Sequence, residues 1–219
     1  LGLPETSTIS FGVPARRFRT VSTHAYVADD WRLASGLTAS IGVRWEYDSP
    51  ATELSGHLVN LDVAPGFSNV AAVTPARPVG EWTARRYPSA LIRADRTGLQ
   101  PRLALSWRPR PASRLVLRAG YGLYRDSGAY LPIASLLSAQ PPLSTTGTLR
   151  STDSRPLTLA DGFASAGSEA LNTFAVDPEF RPAIAEMWEA SAQRDVLTSL
   201  VVRATYSGSR GHRLMQQVL

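Results

Sequence analysis

Leu37, Ala39, Ile41, Val43, Trp45 and Tyr47 alternate without a break with Thr38, Ser40, Gly42, Arg44, Glu46 and Asp48. An apolar side chain at every second place predicts a strand with one apolar and one polar face. Just upstream, Arg19 to Arg32 is rich in Thr, Val, Tyr and Ala, and only Leu33-Ala34-Ser35-Gly36 separates the two stretches. They read as a hairpin near 19–48. A second hairpin, near 102–126, joins Leu103, Leu105 and Trp107 to Leu115, Leu117, Ala119, Tyr121 and Leu123 through Pro109-Arg110-Pro111-Ala112-Ser113. A third, near 185–207, sets Trp188, Ala190 and Ala192 against Leu200, Val202, Ala204 and Tyr206, with a turn near Asp195 to Ser199.

Two long connections, near 49–100 and 127–182, separate the hairpins and hold five and six of the 16 prolines. Loops beyond roughly 15 residues are uncommon in compact soluble domains. Short and long links alternate strictly, so an antiparallel meander puts every tight turn at one end and every long loop at the other. That is the arrangement of outer-membrane barrels with short periplasmic turns and longer extracellular loops. The expected fold is therefore all-β: an antiparallel meander of about six long strands from a large transmembrane β-barrel. Six strands are too few to close alone, since natural outer-membrane barrels begin at about eight.

Aromatic positions suit two interfacial girdles: Trp31 and Trp107 fall beside tight turns, while Trp45, Tyr47, Tyr121, Tyr124, Trp188 and Tyr206 fall toward the long-loop ends. Arg44, Glu46, Arg118, Arg125, Asp126 and Arg203 fall on the polar face or its loop end, where they form a lumen-facing ligand track or simply solvate one another. A soluble β-sandwich, with the same apolar faces packed on a second sheet, is the competing architecture.

Composition narrows the class. Charged residues make up 19% of the 219-residue chain, below the roughly 25% of an average soluble domain. No window approaches 18 consecutive apolar residues, which excludes a transmembrane helix. The start at Leu1 and the end at Leu219, without initiator Met or terminal polar tail, lead us to expect a segment of a longer protein. All 23 basic residues are Arg, yet they are scattered, so the net charge of +5 makes no stripe for nucleic acid. With no Cys, thiolate metal sites and Cys nucleophiles are excluded together.

Catalytic chemistry finds little support. His24, His57 and His212 lie far apart and have no metal-ligand spacing. Ser168, in Ala-Gly-Ser-Glu-Ala, lacks the elbow of a serine hydrolase. Asp29 and Asp30 point to opposite faces of a strand and cannot converge on a cation; they read as a polar strand end beside Trp31. Gly120-Tyr121-Gly122 precedes no helix, so it offers no phosphate cradle, and Gly208-Ser209-Arg210-Gly211 reads as an outer loop. No enzyme activity, metal or cofactor is expected.

Five stretches carry a more specific likeness: Asp29 to Arg32, Leu37 to Glu46, Pro101 to Asp126, Phe174 to Arg194 and Tyr206 to Leu214. In this order and spacing the chain resembles the barrel of Oar-like TonB-dependent outer-membrane transporters. The resemblance implies a barrel of about 22 strands, an N-terminal plug, often a carboxypeptidase-regulatory-like domain, and a segment that contacts TonB; none of these accompanying parts lies in this stretch. It implies energised uptake of a bulky nutrient, with outer-membrane lipid, the rest of the barrel, the plug and TonB as partners, in a Gram-negative type of cell. The alternatives are a surface adhesion protein without transport and a soluble sandwich that binds a ligand.

Overall fold

The computed structural model describes residues 4–12, 15–110, 112, 114–154, 156–158 and 173–216; Ser168 and Ser113 lie outside them. Along the chain run β1 (Thr6–Gly12), β2 (Phe18–Arg19), β3 (Ser22–Ala34), β4 (Leu37–Asp48), β5 (Thr52–Glu53), β6 (Asn60–Val63), β7 (Val70–Val73), β8 (Leu99–Trp107) and β9 (Leu115–Arg125). Helix α1 (Tyr130–Ser138), β10 (Ser144–Arg150), β11 (Ile184–Leu197) and β12 (Leu200–His212) follow. The alternating stretches all become long strands, and these form one six-stranded sheet in the order β12-β11-β9-β8-β4-β3. Every neighbouring pair is antiparallel. The fold is thus the all-β meander that the alternation predicts.

β12 runs further than the sequence pattern suggests. Gly208, Ser209, Arg210 and Gly211 pair with Trp188, Met187, Glu186 and Ala185 instead of forming an outer loop. Glycines have weak strand preference of their own, but β11 supplies a ready ladder, and context overrides propensity in strands. Likewise Asp29 is no strand end. It stands inside β3, opposite Ile41 on the apolar face, where its carboxylate accepts from the Asp30 amide at 2.9 Å and from Trp31 Nε1.

Side chains directly opposite each other in a ladder share a face. One face of the sheet carries Ile41, Val43, Leu103, Leu105, Trp107, Tyr121 and Tyr206, and all of them are exposed. The other face carries the strand side chains that are buried: Glu46, Asp48, Gln100 and Ser191. None of the buried apolar residues lies in the six strands. A water-soluble sheet buries the opposite face, so this burial pattern is that of a sheet wall with lipid outside. From Leu37 to Tyr47 the outward row spans about 33 Å along the strand, or about 25 Å of membrane depth at a 40° tilt.

The chain divides into two compact units. One holds the sheet (Val21–Ser49, Ala94–Ala129 and Arg181–Leu219); the other comprises Leu1–Thr20, Pro50–Arg93 and Tyr130–Phe180. The second unit shows that the long connections are more than loops. Leu58, Val73, Leu91, Ile133 and Leu137 are fully buried in its core, and each contributes about 1.5–3 kcal/mol. In α1, Tyr130, Ile133, Ala134, Leu137 and Ser138 recur at helical spacing and make its buried face. Pro132 falls in the first turn, where a missing N–H costs nothing.

Buried side-chain amides complete this unit. Asn60 donates to the Val176 carbonyl at 2.9 Å and accepts its N–H at 3.1 Å. Gln140 donates to the Val59 carbonyl and accepts the Phe174 N–H, both at 2.6 Å. The two amides act as a substitute strand edge for residues 174–176. Asp62, fully buried, accepts the Trp82 and Thr83 N–H groups at 2.7 and 3.0 Å, the Thr83 hydroxyl, and the Tyr87 hydroxyl at 3.3 Å. Burial opposes its charge, but the Thr83 hydroxyl and these amides outweigh it and hold the carboxyl below the ordinary range.

Candidate functional site

The polar face of the sheet is built by the residues that alternate with the outward apolar row, and at its loop end they condense into a network. Glu46 in β4 accepts from Arg44 on the same strand, and from Gln100 Nε2 in β8 at 2.6 Å; His24 Nδ1 in β3 lies 3.7 Å away. Gln100 is itself buried, and its carbonyl accepts the Arg125 N–H at 3.3 Å. Gly98 brings the backbone close: its carbonyl accepts the Glu46 N–H at 3.0 Å, and a Cβ there would sit 1.8 Å from the Glu46 oxygen. Only glycine fits at that contact.

Arg125 shares the parity of the apolar face, opposite Ile184, but stands at its loop end. There segment 95–98 covers it. Its guanidinium reaches the Asp95 carbonyl at 3.2 Å and carboxylate at 3.4 Å, and both side chains are about 95% buried. Thr97 donates its N–H and hydroxyl to the same carboxylate at 2.9 and 2.6 Å, and Arg213 comes within 3.9 Å. Burial disfavours the Asp95 charge, yet the Thr97 hydroxyl and amide and the Arg125 cation prevail, so its pKa lies below the ordinary value.

A folded-state pKa below the unfolded one stabilises the pair above the ordinary aspartate value of about 3.9, and that stability disappears as pH falls through the folded value. The hydrogen-exchange protection factor of the Thr97 amide is therefore expected to stay flat from neutral pH to about 5, then drop as the carboxyl protonates. Asp95→Asn should remove the acid-dependent drop. An identical drop in that variant would assign the transition to another group.

At the turn side of the same polar face, Gln193 Oε1 accepts from Arg118 at 3.4 Å and from Arg203 at 2.9 Å. Asp126, just beyond β9, closes a turn by accepting the Gly128 N–H at 2.9 Å. The six lumen-facing candidates are thus distributed. Arg44 and Glu46 meet, Arg118 and Arg203 share one glutamine, and Arg125 and Asp126 anchor segments at the loop end. Between these groups lies a groove of about 800 Å3 along the polar face, bordered by Asp30, Arg102, Tyr124 and Glu189 and floored by small residues such as Gly42 and Gly120.

Tyr124 lies on this polar face, opposite in parity to Tyr121, and does not join a girdle. Its ring lies over Gly122, where a Cβ would come within 3.0 Å of it, and the Arg102 guanidinium sits 4.8 Å from the ring centre. Trp31, Trp45, Tyr47, Trp107, Tyr121, Trp188 and Tyr206 share the outward face. Trp45 and Tyr47 stack with centroids 6.2 Å apart near the loop end of β4, and Trp45 Nε1 donates to the Arg96 carbonyl at 3.1 Å. Trp31 and Trp107 stand near the tight turns. Tyr121, Trp188 and Tyr206 sit further inside: Tyr121 lies between Leu103 and Trp188, and Tyr206 is opposite Ala190.

Asp95, Gln100 and Gln193 are the polar partners of these candidates that the alternation did not single out. Among the described residues no cluster of three or more acidic or imidazole side chains is placed to hold a metal ion. What the polar face offers is a row of paired charges, amides and hydroxyls able to solvate a polar solute. A family model described as "Outer membrane beta barrel domain" matches residues 1–218. No curated protein and no solved structure matches the chain.

Proposed function

The chain belongs to the outer membrane beta barrel domain family and lies in the outer membrane, and from that premise we propose that it forms a wall section of a TonB-dependent transporter, of the Oar-like kind, for energised uptake of a bulky nutrient. The observation that carries this reading is the polar face: groups of paired charges and amides at both ends of a groove floored by small residues, on a sheet of six strands that is too narrow to close around it. A wide, water-lined lumen needs more strands than this sheet supplies. The five sequence stretches named above point to the same kind of barrel. The role is one of passage and recognition, without catalysis, and the long connections face the cell exterior.

A second reading is surface adhesion without transport. It rests on the aromatic residues that the unit of long connections exposes: Phe67, 85% exposed at the tip between β6 and β7, and Trp82. Formaldehyde cross-linking in intact cells separates the two. A covalent adduct between the full-length protein and TonB is expected for the transporter. Cells that give no adduct, and whose deletion mutant loses surface attachment while keeping nutrient uptake, would establish adhesion instead.

A further inference from the structure

The outward face of the sheet is not uniformly bulky. Across β9, β11 and β12 its register rows run Leu117–Ala192–Ala204, then Ala119–Ala190–Tyr206, then Tyr121–Trp188–Gly208. The alanines leave a groove of about 570 Å3, walled by Leu117 on one side and Tyr206 on the other. Toward the loop end the Tyr121–Trp188 row closes it. One register row further toward the tight turns the outward face carries Arg194, which lies between Leu115 and Val202.

Arg194 stands at the tight-turn rim of the outward face, at the depth of the lipid headgroups, where a guanidinium meets phosphate. It has no ion pair among the described residues, and the side chains beside it on this face, Leu115, Val202 and Ala192, carry no charge. Arg194 lies six positions beyond Trp188, about 20 Å along the strand and about 15 Å of depth at barrel tilt, which matches the hydrocarbon of one leaflet. An apolar slot in the tight-turn half of the outward face, with an arginine one register row beyond it, has the shape and charge of a phospholipid seat.

We propose that this groove seats an acyl chain of an anionic phospholipid from the leaflet on the tight-turn side, with Arg194 holding the phosphate. The proposal needs only the membrane placement of the sheet, so it stands whether or not the protein transports. A bidentate guanidinium–phosphate contact supplies the headgroup preference, and the alanine floor supplies room for the chain.

The test uses the full-length protein in mild detergent, stripped of lipid and titrated with phosphatidylglycerol or phosphatidylcholine of identical chains, with bound lipid counted by native mass spectrometry. Wild type should retain one phosphatidylglycerol about tenfold more tightly than phosphatidylcholine. Arg194→Gln should make the two lipids equal, and Ala190→Leu, which fills the floor, should weaken both by about tenfold. Ala190→Ser, of nearly unchanged size, should behave as wild type. A phosphatidylglycerol carrying a photoreactive group in its chain should label Ala190, Ala192 and Ala204 in wild type, which keeps the test sound should a variant fail to insert. Equal retention of the two lipids by wild type, unchanged binding in Ala190→Leu, or labelling spread evenly over the outward face would overturn the proposal. So would a bound second protein chain that Ala190→Leu displaces, since the groove would then be a protein contact.

Discussion

Leu103→Arg is expected to weaken folding of the protein into lipid vesicles by about 2–4 kcal/mol, the cost of an arginine on the lipid face near the bilayer midplane. Leu103 is the middle residue of β8, on the outward face between Ile41 and Tyr121, and is 48% exposed. Ser40→Arg, on the polar face, should change the same equilibrium by less than about 1 kcal/mol. The neighbouring position gives a sharper check. Ile41→Arg should cost less than Leu103→Arg, because the Asp29 carboxylate stands directly opposite in β3 and can pair with the new cation. Asp29→Asn combined with Ile41→Arg should then restore the larger cost. Urea titrations of vesicle insertion measure all four. A tolerated Leu103→Arg beside a damaging Ser40→Arg would exchange the two faces.

That the faces can be assigned so closely follows from how much of the sheet is written in the chain. Alternation from Leu37 to Tyr47 fixes period, face and strand length at once, because every outward residue of that strand is apolar. The hairpins follow from the short links. The unit formed by residues 1–20, 50–93 and 130–180 has no such signature. Its strands are two to seven residues long, and its core is assembled from Leu58, Val73, Leu91, Ile133 and Leu137, which are spread over some eighty positions with no period joining them. Only Tyr130, Ile133, Ala134 and Leu137 carry a helical spacing, and they lie within a Pro-containing stretch that reads as loop.

The site was legible to the same degree. Arg44, Glu46, Arg118 and Arg203 fall on the polar face by parity alone. Their partners do not, since Glu46 and Gln100 are 54 positions apart and meet only because β4 and β8 are neighbours. Arg125 is the instructive exception. Parity puts it outward, yet segment 95–98 folds over it and supplies Asp95, so that burial and ion pairing replace lipid exposure. Alternation predicts a face, and at strand ends the flanking chain decides the environment.

The largest effect concerns the chain taken alone in water. β3 pairs only with β4 and β12 only with β11 among the described residues, so the sheet has two bare edges, each along a strand of 13 residues. About half the residues of each edge strand point N–H and C=O groups away from the sheet. Such edges recruit other strands in water and cannot be left bare in lipid. The outward face adds Val27, Trp31, Ile41, Val43, Leu103, Leu105 and Trp107, all exposed, to the surface that water would have to cover. A soluble monomer rarely tolerates an apolar patch beyond about 600 Å2. The buried core of the other unit offers no remedy, because its apolar residues already pack on one another. Residues 1–219 expressed alone are therefore expected to aggregate in plain buffer and to need detergent for dispersal, with the edges completed in the cell by further strands of a larger barrel. Size-exclusion chromatography with light scattering decides it. A monomer of 23.7 kDa that stays soluble without detergent and melts cooperatively would mean that the exposed face meets a second layer of the same chain, and the barrel wall would give way to a sandwich.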